Sequence, residues 1–223
     1  MAHHETKAIL KRAEEVLMTA ELGLTDLNAK DKQRRNVGLR NIIVFGRSVT
    51  FVLQNLRNKE PDFDNWYYEI QAGMKNDPVF KYFLQARNNL EKQGKVSIST
   101  SAQIHNFSSK DLSRMGPRPP SADGFFIGDQ MGGSGWTSKL PDGTELKYYV
   151  DLPEDIGNVT QHFSDLENEI FKPIRGKSVD ELSDDYIKKL SKILDLAKQH
   201  FLSEPPTQWV KGKRLPSYIK VIK

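Results

Sequence analysis

Residues 77–94 read Asp77-Pro78-Val79-Phe80-Lys81-Tyr82-Phe83-Leu84-Gln85-Ala86-Arg87-Asn88-Asn89-Leu90-Glu91-Lys92-Gln93-Gly94. Asp77 suits an N-cap, because its carboxylate can accept from the unpaired amides of a first helical turn. Pro78 suits the first helical position, where no amide is needed. Gly94 is the expected left-handed stop. A stretch punctuated at both ends in this way predicts a helix. Upstream, Asp31 to Asn58 places Ile42, Phe45, Gly46, Val49, Val52, Leu53 and Leu56 on one helical stripe. Ile43, Val44 and Phe51 are apolar on the other side, so this helix is expected to be central and packed on several faces.

The same periodicity predicts a first helix over Thr6 to Leu22, stopped by Gly23, and a short third helix opened by Pro61-Asp62 with Phe63, Trp66, Tyr67, Ile70 and Met74 inward. After Gly94 the period changes. Val96, Ile98 and Thr100 alternate with serines as in a strand, and residues 108–124 form a Pro-, Ser- and Gly-rich loop. Phe125 to Ile127 reads as a short strand. Trp136 to Leu140 and Glu145 to Val150, joined by Pro141-Asp142-Gly143-Thr144, read as a hairpin. Helix is expected again from Glu154 to Phe171. A last helix follows the capping box Ser178-x-x-Glu181 and ends at Pro205-Pro206. The expected fold is mainly α, an antiparallel helical bundle with a small β-hairpin or sheet insertion. The divisions are 1–95, an N-terminal bundle; 96–152, loop and hairpin; 153–206, helices completing the bundle; and 207–223, a basic tail.

Composition narrows the function classes. Cysteine is absent, which removes disulfides, thiolate metal sites and a cysteine nucleophile. The most apolar run, Asn41 to Leu56, is broken by Arg47, Ser48, Thr50 and Gln54, so no membrane span is expected. With no signal-like start and no disulfides, the cytoplasm is the expected compartment, and the sequon at Asn158 carries no weight. The five histidines are scattered without metal-type spacing, and neither metal nor cofactor is expected. Gly132-Gly133-Ser134-Gly135 lacks the Lys-Ser/Thr ending of a phosphate loop and reads as a flexible connector. The aromatics Trp66, Tyr67, Tyr68, Phe80, Tyr82 and Phe83 read mostly as core.

Charge is more informative by position than by sum. The net charge is only +4. Yet Lys30, Lys32, Arg34, Arg35 and Arg40 fall in one segment opposed by Asp31 alone, and the tail from Thr207 carries Lys211, Lys213, Arg214, Lys220 and Lys223 with no acid. These are either solvated surfaces or contacts to a nucleic-acid backbone. Two arginines stand on or beside apolar stripes: Arg87, after Phe83 and Leu84, and Arg47, beside Phe45 and Val49. A desolvated guanidinium needs a partner or a ligand anion. Glu91 can pair with Arg87, and Thr50 and Gln54 extend a polar line from Arg47.

Arg87-Asn88, near the end of a helix that follows a long central helix, resembles the signature of HEPN domains, helical bundles of toxins and defence ribonucleases. The resemblance covers roughly residues 30–95. It implies metal-independent RNA cleavage by attack of a 2′-hydroxyl, with two subunits sharing the site. It makes Arg87 and Asn88 candidate catalytic residues, and Arg47, Gln54, Lys92 and Arg40 candidate substrate-binding residues. The pattern departs where a histidine is expected: those positions hold Lys92, Gln93 and Gly94. Lysine is a poor proton carrier near neutral pH. The expectations are therefore an RNA-binding protein with weak or lost ribonuclease activity or, in the alternative, a non-catalytic homodimeric helical interaction protein. An enzyme of another class stands behind both.

Overall fold

The computed structural model describes residues 2–29, 31–204, 209–210 and 213–214. Five α-helices carry the fold: α1 (Ala2–Leu27), α2 (Lys32–Leu53), α3 (Phe63–Asn76), α4 (Pro78–Gln93) and α5 (Val179–Leu202). The strands are β1 (Ile98–Ile104), β2 (Gly124–Ile127), β3 (Ser134–Lys139), β4 (Glu145–Val150), β5 (Gly157–Phe163), β6 (Trp209–Val210) and β7 (Lys213–Arg214). The protein is mainly α with small antiparallel sheets, as its patterning predicts.

Local signals fix α4 and α5. The Asp77 carboxylate accepts from the amides of Val79 and Phe80, and Gly94 closes α4 at φ 65°. Ser178 and Glu181 form a reciprocal capping box at the start of α5. α2 starts on Asp31, which accepts from the Gln33 amide, and tightens into a 3₁₀ turn over Gln54–Asn58.

α1 departs from expectation: it does not stop at Gly23 but continues to Leu27, where Asn28 returns its side-chain amide to the Leu24 carbonyl. Gly23 is a packing residue. Here α1 and α2 cross so closely that a Cβ on Gly38 would lie 2.4 Å from the Gly23 carbonyl oxygen. A helix-interior glycine costs about 1 kcal/mol; close backbone approach offsets that cost.

Glu5 pairs with Lys59 at one end of the α1/α2 hairpin while Gly23 meets Gly38 at the other, so these helices are antiparallel. α5 begins beside Arg35 and ends beside Asp62, and therefore runs in the direction of α2. The helices do not simply alternate, because the β segment carries the chain back between α4 and α5. Tyr186 of α5 stacks on Phe83 of α4 with ring centroids 4.0 Å apart and 7° between planes, and its ring edge lies against Gly46 of α2. Lys198 and Glu14 form a buried pair at 2.9 Å between α5 and α1.

The helix expected over Glu154 to Phe171 is also corrected. Residues 157–163 form β5, antiparallel to β1, and a 3₁₀ turn spans Glu169–Ile174. Val159, Gln161 and Phe163 alternate in the sequence, but β1, more than fifty residues upstream, supplies the ladder. A separate three-stranded sheet has order β2-β3-β4. It holds a small second core of Met115, Ala122, Trp136 and Ile156, with the Trp136 indole donating to the Met115 carbonyl at 3.2 Å. Most of the basic tail, including Lys211, Lys220 and Lys223, lies outside the described residues. Among the described residues no helix is long and apolar enough to cross a membrane.

Candidate functional site

The guanidiniums of Arg47 on α2 and Arg87 on α4 both approach the ring of Phe51. The Arg47 guanidinium lies 4.6 Å from the centre of the Phe51 ring, and that of Arg87 lies 5.8 Å from it. Phe51 is 44% exposed, and Leu84, one turn before Arg87, is 42% exposed. Helix α2 thus supplies Arg47 and Phe51 about one turn apart, and α4 supplies Leu84 and Arg87 about one turn apart. The result is a phenyl ring framed by two cations from different helices.

Each arginine is partly satisfied. Arg87 meets Glu91 at 2.6 Å. Arg47 donates through Nη1 to the Thr50 hydroxyl at 3.0 Å, while its Nε is buried without a partner. Gln54 spends its amide on the Thr50 carbonyl and the Tyr67 hydroxyl. Burial pushes the Tyr67 and Tyr186 hydroxyls above their ordinary range, and the positive charge of Arg47 pulls the other way. Both remain neutral at physiological pH.

The other expected site residues do not join this group. Asn88 is exposed on α4, Lys92 is exposed at the helix end, and Arg40 donates to the Gly94 carbonyl at 2.7 Å, capping α4. Arg40 also lines a groove of about 200 Å³ with Asn36, Leu39, Lys95 and Val96.

Three arginines of the basic segment make contacts within the fold, and Lys30 lies outside the described residues. Arg34 pairs with Asp26. Arg35 is buried, an arrangement its sequence context did not reveal. It makes a two-pronged bond to Asp180 at 2.9 and 3.0 Å, and donates to the Leu27 carbonyl at 2.5 Å and to Gln161 at 3.0 Å. One guanidinium thus ties α1, α2, β5 and α5 together. The only hint in the sequence was helical phase, since Arg35 stands three and four residues before Gly38 and Leu39.

Gly132 and Gly133 close a hydrogen-bonded turn and Ser134-Gly135 begin β3, so the stretch is not the expected connector. Asp129 accepts from the amides of Met131 and Gly133 at 3.0 and 3.1 Å, from the Tyr149 hydroxyl at 2.6 Å and from Lys147 at 3.2 Å. Burial raises the Asp129 pKa, but the Tyr149 hydroxyl, the Gly133 amide and the Lys147 ammonium outweigh it and hold the carboxyl below its usual range. A depressed folded-state pKa gives stability that is present above the unfolded value near ~4 and lost as the pH falls through the lower folded value. Melting temperature followed from neutral pH to strong acid should therefore fall less steeply in Asp129→Asn than in the native protein. Equal acid slopes would remove Asp129 from this role.

Among the described residues, no group of three or more His, Asp or Glu side chains is placed to hold a metal ion. Fold and surface together define a mainly α protein with a β insertion and a cationic-aromatic face. The chain belongs to the bacteriophage lambda protein ea47 family, whose model matches residues 6–122. Over 74 residues it is 30% identical to protein ea47 of Escherichia phage lambda, an alignment covering 33% of this chain and 18% of that relative. The chain thus matches less than a fifth of the relative's length. No solved structure matches it. The HEPN resemblance is corrected by this result: residues 30–95, including Arg87-Asn88, fall within the ea47 match. The residues agree with this, since the positions where that pattern needs a histidine hold Lys92, Gln93 and Gly94.

Proposed function

We propose that this chain is a non-catalytic interaction module whose working surface is the α2/α4 face around Phe51, and that it takes an acidic protein segment. One observation carries the reading: two guanidiniums from separate helices frame one exposed phenyl ring. Interface centres favour this composition, because arginine and aromatic side chains give large contact area with directional bonds. The charges favour an anionic partner, since Glu91 is the only carboxylate ion-paired with either arginine among the described residues. Leu84 beside Arg87 favours a partner that sets an apolar side chain next to its Asp or Glu. The non-catalytic reading is supported by the neighbours of Arg47: two tyrosines held neutral and a threonine, none of them a proton acceptor near pH 7.

The test is an NMR titration with a Glu- and Leu-rich peptide, following backbone amides and arginine Nε signals. Shifts confined to Arg47, Phe51, Leu84 and Arg87, lost in Phe51→Ala and Arg47→Ala, are expected. No shift, or shifts caused instead by an oligouridylate, would overturn the proposal; the second outcome would move the surface to nucleic acid.

A further inference from the structure

Among the described residues, strand β1 is an edge strand, paired with β5 on one side and with no strand on the other. The bonds from the Ser164 amide to the Ser97 carbonyl and from the His105 amide to the Ile156 carbonyl fix the phase of the β1/β5 ladder. In an antiparallel pair, alternate residues bond to the partner and the others point away. The residues bonded to β5 are therefore Ser99, Ser101 and Gln103. The N–H and C=O groups of Ile98, Thr100, Ala102 and Ile104 point outward, and no hydrogen bond among the described residues meets them. Residues 101 to 110 are all exposed, Ile98 and Thr100 are half-buried, and among the described residues no strand pairs with this edge.

Exposed edges are ordinarily guarded by charge, proline or shortness. Two edges of the second sheet follow that rule: β4 carries Glu145 and Lys147, and β2 has only four residues. β1 does not. Its seven residues, Ile98-Ser99-Thr100-Ser101-Ala102-Gln103-Ile104, contain no charge and no proline.

We propose that β1 pairs with the β1 of a second copy of this chain, antiparallel about a twofold axis at Ser101. The sequence of the strand selects this partner and this register. About that axis Ile98 faces Ile104, Thr100 faces Ala102, Ser99 faces Gln103 and Ser101 faces itself. Apolar side chains meet on one face and polar ones on the other. The outward-pointing residues fall opposite one another, so each of the four pairs they form exchanges two hydrogen bonds and every open edge group is used. The two-stranded sheet becomes a four-stranded one in the order β5-β1-β1-β5, which suits the stability of strands better than an isolated pair. This inference is independent of the α2/α4 face: different residues carry it, and its failure leaves that surface untouched.

The full chain should show a concentration-dependent monomer–dimer equilibrium by sedimentation velocity. Ser101→Lys sets two like charges opposite each other on an exposed face and should weaken the dimer at least about tenfold. Its melting temperature, measured under dilute conditions, should not change. The chain has no cysteine, so single-cysteine variants report the register directly. In the proposed ladder Ser101 meets its own copy at a non-hydrogen-bonded position with Cα atoms ~4.5 Å apart, within disulfide reach. Ser101→Cys should cross-link under mild oxidation much faster than Ser99→Cys, whose two copies stand well beyond that reach. A protein monomeric up to about 100 μM would overturn the proposal. So would a dimer indifferent to Ser101→Lys, or equal cross-linking at the two positions.

Discussion

Gly38→Ala should lower folding stability by about 3 kcal/mol, the upper range for overpacking a close-fitting contact. The added Cβ would lie 2.4 Å from the Gly23 carbonyl oxygen, 2.5 Å from the Leu27 amide nitrogen and 2.9 Å from the Asp26 Cβ. Two of these neighbours are backbone atoms of a continuous helix, which cannot turn aside as a side chain would. Relief requires α1 and α2 to separate, and the pair carries much of the core: Leu17, Ala20, Leu39 and Ile42 are all buried in it. Gly73→Ala is the matched control. Gly73 lies inside α3 with nothing within 4 Å of a Cβ at that position. There alanine should stabilise by about 0.5–1 kcal/mol through helix propensity alone. Urea unfolding of both variants reads the difference. Equal effects, or a stabilising Gly38→Ala, would mean that the two helices do not touch at this point.

The second large effect is expected at Arg35. Its side chain is 11% exposed, and its partner Asp180 is 32% exposed. Removing one member of a buried pair leaves the other desolvated, a loss of about 3–5 kcal/mol when both are fully buried. The partial exposure of Asp180 places Arg35→Ala near the low end of that range. The Leu27 carbonyl and the Gln161 side chain lose a donor in the same step. Arg35→Lys should recover less than half of the loss, because an ammonium cannot reproduce the planar two-pronged contact. Arg87→Ala offers the contrast. Its pair with Glu91 is a partly exposed contact four residues apart on one helix, worth about 0.5 kcal/mol or less. Thermal unfolding should therefore separate a scaffold arginine from a surface arginine. Similar melting temperatures for Arg35→Ala and Arg87→Ala would reject the distinction.

These two arginines show how far a sequence can be read. Both stand beside apolar stripes, but the density of basic residues from Lys30 to Arg40 makes Arg35 indistinguishable by sequence from its solvated or nucleic-acid-facing neighbours. Helical phase places Arg47 and Arg87 beside the apolar stripes; that they share one ring depends on how α2 packs against α4. Their shared contact, Phe51, was read as an apolar residue of the central helix, and its exposure depends on which flanks of that helix remain uncovered. Arg35 was not legible, because its partners arrive from Leu27, Gln161 and Asp180, positions up to 145 residues away. The basic segment it belongs to likewise looked available until tertiary contacts assigned Arg34 to Asp26 and Arg40 to Gly94.

What the sequence determined by itself is local. Asp77, Pro78 and Gly94 bound α4 through hydrogen bonds made within a few residues, and Ser178 and Glu181 start α5 in the same way. The hairpin of β3 and β4 follows from its turn residues and alternation. Tertiary structure decided the rest. Gly23 is a stop signal in isolation, yet α1 passes through it because Gly38 lies against it. Residues 157–163 alternate too briefly to exclude a helix, and they are a strand because β1 supplies the partner for their amides and carbonyls. Hydrogen bonds that close over a few residues are written in the chain order; those that close over fifty or more exist only once the core has brought their ends together.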